Sequence, residues 1–236
     1  MSNLIIVAGG QGKRMNLGYN KIFAKLGEYP VLYWTILAFE KSRFVDNIII
    51  SASEGDAVKI RRLVRDYGFS KVRDIYIAGP TRQESTFAVL KSIKPKMKNG
   101  DLVGVHNGAN PFVSASEIKE VYTAAKKYGA ALLAQVARDT VKIADTQGFV
   151  DMTPPRQYSW YAQTPQVATF ANLWKAFVAA DGQNFMGTDD SQLLERVGIK
   201  PKIVVCSNLN VKITFKEDLD LARQIHKSFL KNHAEK

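Results

Sequence analysis

Six short runs of apolar, largely β-branched residues punctuate this chain: NLIIVA (3–8), NIIISA (47–52), DIYIAG (74–79), LVGVH (102–106), ALLAQVA (131–137) and KIVVC (202–206). Each is nearly continuous in apolar character, as strands covered on both faces are. Helical patterns lie between them, in PVLYWTILAFEKS (30–42), GDAVKIRRLVRDYG (55–68), RQESTFAVLKSI (82–93) and SASEIKEVYTAAKKYG (114–129). The first of these carries Pro30 in its first turn. The last opens at Ser116-Glu117 and closes on two lysines before Gly129, in accord with the helix dipole. Strand alternating with helix predicts an α/β layered sheet, mainly parallel, with right-handed crossovers. The rhythm breaks after Ala137. Within residues 138–158, TVKIAD, a QG turn and FVDMT predict a β-hairpin that Pro154-Pro155 ends. An excursion of this kind is either an arm over a site or a partner, or an incidental surface hairpin.

Composition narrows the partners. The 236 residues suffice for one large domain or two small ones. The single cysteine, Cys206, excludes an internal disulfide and a cysteine-based zinc site, and its place in KIVVCS predicts a core residue. With only His106, His226 and His233, a His-rich metal site is not expected. The opening MSNLIIVAGG lacks a basic leader, and no segment approaches the ~18 apolar residues of a membrane span. These features predict a cytoplasmic protein with no membrane partner. The net charge of +11 suits either nucleic acid or small polyanions such as nucleotides and sugar phosphates. The cations are spread over predicted helix faces, and no nucleic-acid motif accompanies them. No nucleic-acid partner is expected.

In α/β sheets, ligands bind beyond the carboxyl ends of the strands. The first strand is followed by VAGGQGKRM and then Lys21. This is not a P-loop, because Lys13 is followed by Arg14 and Val7 stands five residues before Gly12. It is not a dinucleotide fingerprint either, because Met15 replaces the third glycine. Gly9, Gly10 and Gly12 would let backbone N–H groups converge on an anion, and Arg14 and Lys21 would supply permanent charge. The same stretch would also serve as a glycine turn with surface cations. The third strand leads to AGPTRQES with Arg82 and Ser85, the fourth to HNGANP with His106, Asn107 and Asn110, and the fifth to Asp139-Thr140-Val141-Lys142. Late in the chain comes NLNVKIT with Lys212. No Ser-His-Asp set and no paired acid and base stand out, and a lone His106 at a strand end reads as a structural residue.

The stretches AGGQGKRM with Lys21, GPTRQES, VHNGANPF, RDTVK, PPRQYSWYAQTPQ, TDDSQLLERVG and NVKITFKEDL run in order from Val7 to about Leu219. Together they resemble the cytidylyltransferases acting on methylerythritol 4-phosphate in non-mevalonate isoprenoid synthesis. The sister family acting on ribitol 5-phosphate shares part of this pattern, and Lys142 favours the isoprenoid enzymes. The resemblance implies a Rossmann-like, GT-A-like nucleotidyltransferase fold: a three-layer sandwich in one domain over residues 1–236. It also implies a homodimer whose arms, at about 138–158, complete each other's sites. Ala8, Gly9, Gly10, Gly12, Arg14 and Lys21 would hold the CTP triphosphate. Gly79, Pro80 and Ser85 would read cytosine, with Arg82 and Asn107 on the nucleotide side. Thr140 and Arg156 of the partner's arm would hold the sugar phosphate, with Lys212 close to the reacting phosphates, and Asn110, Thr188 and Asp189 would complete the substrate-binding side. Arg14, Lys21 and Lys212 would be the catalytic cations. Mg²⁺ would be the cofactor, held mainly by the CTP phosphates.

One departure stands out. Where the family has an aspartate and an arginine, this chain has Asn107 and Asn110 in HNGANP. The aspartate position is associated with the metal, so Asn107 is the candidate metal-side residue, offering a carbonyl oxygen without charge. Three activities fit the sequence: a methylerythritol-phosphate enzyme with compensating changes, a cytidylyltransferase for another polyol phosphate, or a catalytically weak nucleotide-binding homologue.

Overall fold

The computed structural model describes residues 1–10, 15 and 18–234, with side chains described up to residue 228. A seven-stranded sheet dominates it. Its strands are β1 (Ser2–Val7), β4 (Asn47–Ala52), β5 (Val72–Ile77), β6 (Leu102–Asn107), β7 (Ala130–Val136), β10 (Trp160–Thr169) and β11 (Lys202–Val205). Their order across the sheet is β11-β7-β10-β6-β1-β4-β5. All pairings are parallel except those of β10, which runs antiparallel to both β6 and β7. Two small hairpins, β2 (Lys25–Leu26) with β3 (Tyr29–Pro30) and β8 (Ile143–Ala144) with β9 (Val150–Met152), stand outside the sheet.

The continuous apolar runs are explained by burial on both faces. In β1, Leu4 and Ile6 enter one core and Ile5 enters the other. The first core gathers Ile36 and Phe39 of α1 (Val31–Glu40), Ile60 of α2 (Glu54–Asp66), Val121 of α4 (Ala115–Tyr128) and Leu219 of α7 (Lys216–Ala234). The second gathers Leu90 of α3 (Arg82–Ile93), Phe177 of α5 (Phe170–Gly182) and Leu193 of α6 (Asp190–Arg196). A fully buried Leu or Ile contributes about 1.5–3 kcal/mol relative to exposure, so these strands are held from both sides.

Several boundaries differ from the sequence reading. The third expected strand lies at Val72–Ile77, two residues early, which leaves Ala78 and Gly79 in the loop. Helix α4 opens at Ser114, not Ser116. The Ser114 hydroxyl accepts from Glu117 N, and the Glu117 carboxylate accepts from Ser114 N at 2.7 Å, a capping box. The strand β10 was not anticipated. Its sequence WYAQTPQVAT interrupts its apolar residues with the polar stretch QTPQ and contains Pro165, which is tolerated where the register shifts between Ala162 and Gln166.

Candidate active site

The loop after β1 is pinned before it leaves the sheet. Ala8 N donates to Ser51 O at 2.7 Å, Gly108 N donates to Val7 O at 2.9 Å, and Ala78 N donates to Ala52 O at 2.7 Å. The ends of β1, β4, β5 and β6 are thereby drawn together. At Gly9 a Cβ would lie 2.5 Å from the Ala78 Cβ, so only glycine fits. Gly10 faces open space. Gly12 and Arg14, both expected at the triphosphate, lie outside the described residues, as does Lys13.

The far end of this loop is tied by residues the sequence reading missed. Buried Asn20 donates to Ala8 O at 3.0 Å and to Asp56 Oδ2 at 2.9 Å, and Ser53 Oγ also donates to Asp56 Oδ2. Asn20 Oδ1 accepts from Ile22 N and so caps the 3-10 turn Lys21–Phe23. Lys21 therefore starts a turn whose position is fixed relative to Ala8. A capping residue ahead of a short apolar turn was the available signal.

The loop after β5 is equally constrained. Thr81 and Glu84 form a capping box at the start of α3. Ser85, 3% exposed, donates to Thr81 O at 2.6 Å and approaches Gly79 O at 3.2 Å. Its hydroxyl shapes the turn, and the Gly79-Pro80 backbone is left to meet a ligand. A Cβ at Gly79 would crowd Glu84 at 3.0 Å. Arg82 extends from α3 to buried Asp190, Nη2 to Oδ2 2.6 Å, and to Asn107 Oδ1, 3.4 Å from Nε. Burial alone would lower the Arg82 pKa, but the charge of Asp190 outweighs it and the pKa is raised.

The loop after β6 holds both amides of HNGANP. Asn107 N donates to Thr164 Oγ1 at 3.3 Å, and Asn107 Nδ2 lies 3.3 Å from Asn110 Oδ1 and 3.4 Å from Thr164 Oγ1. Asn110 is fully buried. Its side-chain oxygen is turned toward Asn107. His106 is also wholly buried, with Nε2 2.9 Å from Asn110 O, and burial pushes its pKa down to about 4. It is a neutral structural residue at neutral pH. The segment carrying Lys212 hangs on this loop: Ile213 N donates to Ala109 O at 2.9 Å, and buried Asn210 donates to Thr164 O at 3.0 Å. Lys212 itself is exposed.

Asp189 caps α6 and takes Gln166 Nε2 at 2.8 Å, while Gln166 Oε1 accepts from Ser191 N. Thr188 is exposed beside it, its N–H bonded to Gln192 Oε1. Thr140 and Arg156 belong to the hairpin region and not to the strand ends. Both are exposed, and Arg156 donates to Arg138 O at 3.1 Å across a cleft of about 570 Å³ that Val136, Pro155 and Gln157 also line. Lys142 reaches Thr153 Oγ1 at 2.9 Å, which braces the hairpin.

The expected metal role of Asn107 does not fit this geometry, because its carbonyl oxygen faces the Arg82 guanidinium. Among the described residues no cluster of three or more His, Cys, Asp or Glu side chains is placed to hold a metal ion.

A mostly parallel α/β sheet whose strand ends carry a glycine loop, with Lys21 and Lys212 on segments anchored beside it, has the architecture of a nucleotidyltransferase. The chain belongs to the IspD family, 2-C-methyl-D-erythritol 4-phosphate cytidylyltransferase, which matches residues 2–228. It is 38% identical over 223 residues to the protein of that name from Halalkalibacterium halodurans, covering 94% of this chain and 96% of that one. It is 39% identical over 227 residues to its namesake from Clostridioides difficile, covering 95% and 93%. Among solved structures, 4-diphosphocytidyl-2C-methyl-D-erythritol synthase from Anaerococcus prevotii superposes with a TM-score of 0.84 at 32% identity, covering 96% of each chain.

Proposed function

We propose that this chain is a CTP-dependent cytidylyltransferase that converts 2-C-methyl-D-erythritol 4-phosphate to its CDP derivative and pyrophosphate. The observation that carries this reading is the convergence of the β1, β5 and β6 loops, tied by Gly108 N to Val7 O and by Arg82 to Asn107, with Lys21 and Lys212 on segments anchored at Ala8 and Ala109. A phosphate oxygen of the acceptor attacks the α-phosphorus of CTP. A P–O bond forms, the α–β anhydride bond breaks, and pyrophosphate leaves with the bonding pair. The acceptor phosphate is already an anion at neutral pH, so no base is required, and buried His106 offers none. What the protein supplies is position and charge.

In this reading the backbone from Ala8 to Gly10 and Gly12, with Arg14 and Lys21, cradles the triphosphate. Gly79 and Pro80 read the base from a turn shaped by Ser85, and Lys212 meets the reacting phosphates. Thr188 and Asp189 support the acceptor pocket. Mg²⁺ arrives with CTP, held by its phosphates and not by Asn107. Thr140 and Arg156 act across a homodimer, each arm of about 138–158 serving the partner's site, and residues 1–236 form one domain working in the cytoplasm. Among the described residues no helix is long and apolar enough to cross a membrane.

A second reading, another polyol phosphate as acceptor, is favoured by one observation: buried Asn110 presents no cation to the acceptor. Pyrophosphate release with CTP, Mg²⁺ and a panel of polyol phosphates separates the two. Turnover with methylerythritol phosphate supports the first. Turnover with ribitol 5-phosphate alone supports the second. CTP binding without turnover on any acceptor identifies a binding homologue and overturns both.

A further inference from the structure

The polar chain Asp190–Arg82–Asn107–Asn110 has a direction built into it. Asp190 is 1% exposed, and its Oδ2 takes Arg82 Nη2 at 2.6 Å. A guanidinium only donates, so the Asn107 atom facing Nε must be the carbonyl oxygen. The two amide protons of Asn107 then match two acceptors, Asn110 Oδ1 and Thr164 Oγ1. The direction carries through to Asn110, whose oxygen is engaged and whose buried Nδ2 has no partner. Reversing the Asn107 amide would set N–H against N–H at Arg82 and oxygen against oxygen at Asn110. One lone pair on the Asn107 oxygen remains, on a residue that is only partly buried.

Resting on the cytidylyltransferase reading above, we propose that Arg82, clamped by Asp190, is a positioning residue that turns the Asn107 carbonyl into an acceptor for a ligand hydroxyl and withdraws it from any divalent cation. A metal ion approaching that oxygen would also approach a fixed guanidinium, and like charges at such separations repel strongly in a partly buried site. A hydroxyl group meets no such opposition. The hydroxyl belongs either to the nucleotide ribose or to the polyol acceptor. This replaces the charged pair of the family pattern with a neutral, oriented amide pair whose orientation depends on a residue outside the motif.

The test measures Mn²⁺ affinity for the protein–CTP complex by electron paramagnetic resonance, together with CTP Kd and acceptor KM, in the wild type, Asn107→Ala, Arg82→Lys, Arg82→Gln and the double variant Arg82→Gln/Asn107→Ala. One lost hydrogen bond corresponds to a rise of about tenfold. We expect Asn107→Ala and both Arg82 variants to raise either CTP Kd or acceptor KM by that amount, and which of the two rises identifies the source of the hydroxyl. Mn²⁺ affinity should stay within about twofold in Asn107→Ala and in the double variant, which lack the carbonyl, and should not fall in Arg82→Gln; for Kd and KM the double variant should be no worse than either single one, the signature of groups acting as a unit. Arg82→Lys keeps the charge opposite Asp190, so it carries the test if Arg82→Gln fails to fold. A tenfold loss of Mn²⁺ affinity in Asn107→Ala overturns the proposal, as does wild-type Kd and KM in Arg82→Lys. Failure of wild-type protein to bind CTP would instead sink the functional reading itself.

Discussion

His106 shows how burial decides what a residue can do. Its sequence position, a lone histidine at a strand end among amides, reads as a structural group. Full burial drives its pKa from 6.5 to about 4, so the folded protein resists protonating it. The unfolded chain takes up that proton first as the pH falls below 6.5, so stability is complete above that value and declines toward pH 4. Between pH 7 and 5 the loss should be about 2 kcal/mol, read as a fall in the urea midpoint, and His106→Gln should flatten that slope. An unchanged slope in the variant would remove His106 as the cause. Burial likewise pushes the Cys206 thiol up to about 11, and the sequence placed this residue in the core. Folded protein should therefore react with a thiol reagent far more slowly than protein in urea; prompt labelling at neutral pH would contradict this. Glycines and lysines after strands were legible because their chemistry shows in the chain. Asn20, Asp56, Thr164 and Asp190 were not, because a polar residue buried against a distant partner looks like any surface polar residue in sequence.

Elements buried on both faces were the easiest to read, since a continuous apolar run such as NIIISA (47–52) leaves little choice. The strand β10 escaped because its neighbours β6 and β7, and not its own composition, make it a strand. Caps were legible as a class but shifted by two residues, from Ser116 to Ser114. Ser114→Ala should cost about 1 kcal/mol and lower Tm by roughly 2–4 °C in a calorimetric scan, while Ser116→Ala should have little effect. Close approach makes the β1 loop specific. Gly9→Ala forces a methyl to within 2.5 Å of Ala78 and should weaken CTP binding by more than about tenfold by calorimetric titration, whereas Gly10→Ala, in open space, should act far more mildly. Equal effects at the two positions would mean that steric closure is not what shapes the cradle.

At the scale of the whole molecule, the sheet sets the strand ends that carry Ala8, Gly9, Gly79, Arg82 and Asn107 side by side, while Thr140 and Arg156 remain on the hairpin region. The sequence already sets both residues on the arm at about 138–158, and the proposed homodimer would bring them to a partner's site. The hairpin exposes Phe149 (70%), Val150 (59%) and Met152 (54%), an apolar stripe suited to a partner. Light scattering should give twice the chain mass, and Val150→Asp with Met152→Asp should yield monomers that bind CTP but lose turnover. Fully active monomers would detach the arm from the site. The most direct test of the central claim is ³¹P NMR of the wild-type protein with CTP, Mg²⁺ and 2-C-methyl-D-erythritol 4-phosphate. The account predicts that the CTP resonances give way to a diphosphate diester and free pyrophosphate; CTP that stays intact in the presence of folded, CTP-binding protein would contradict it.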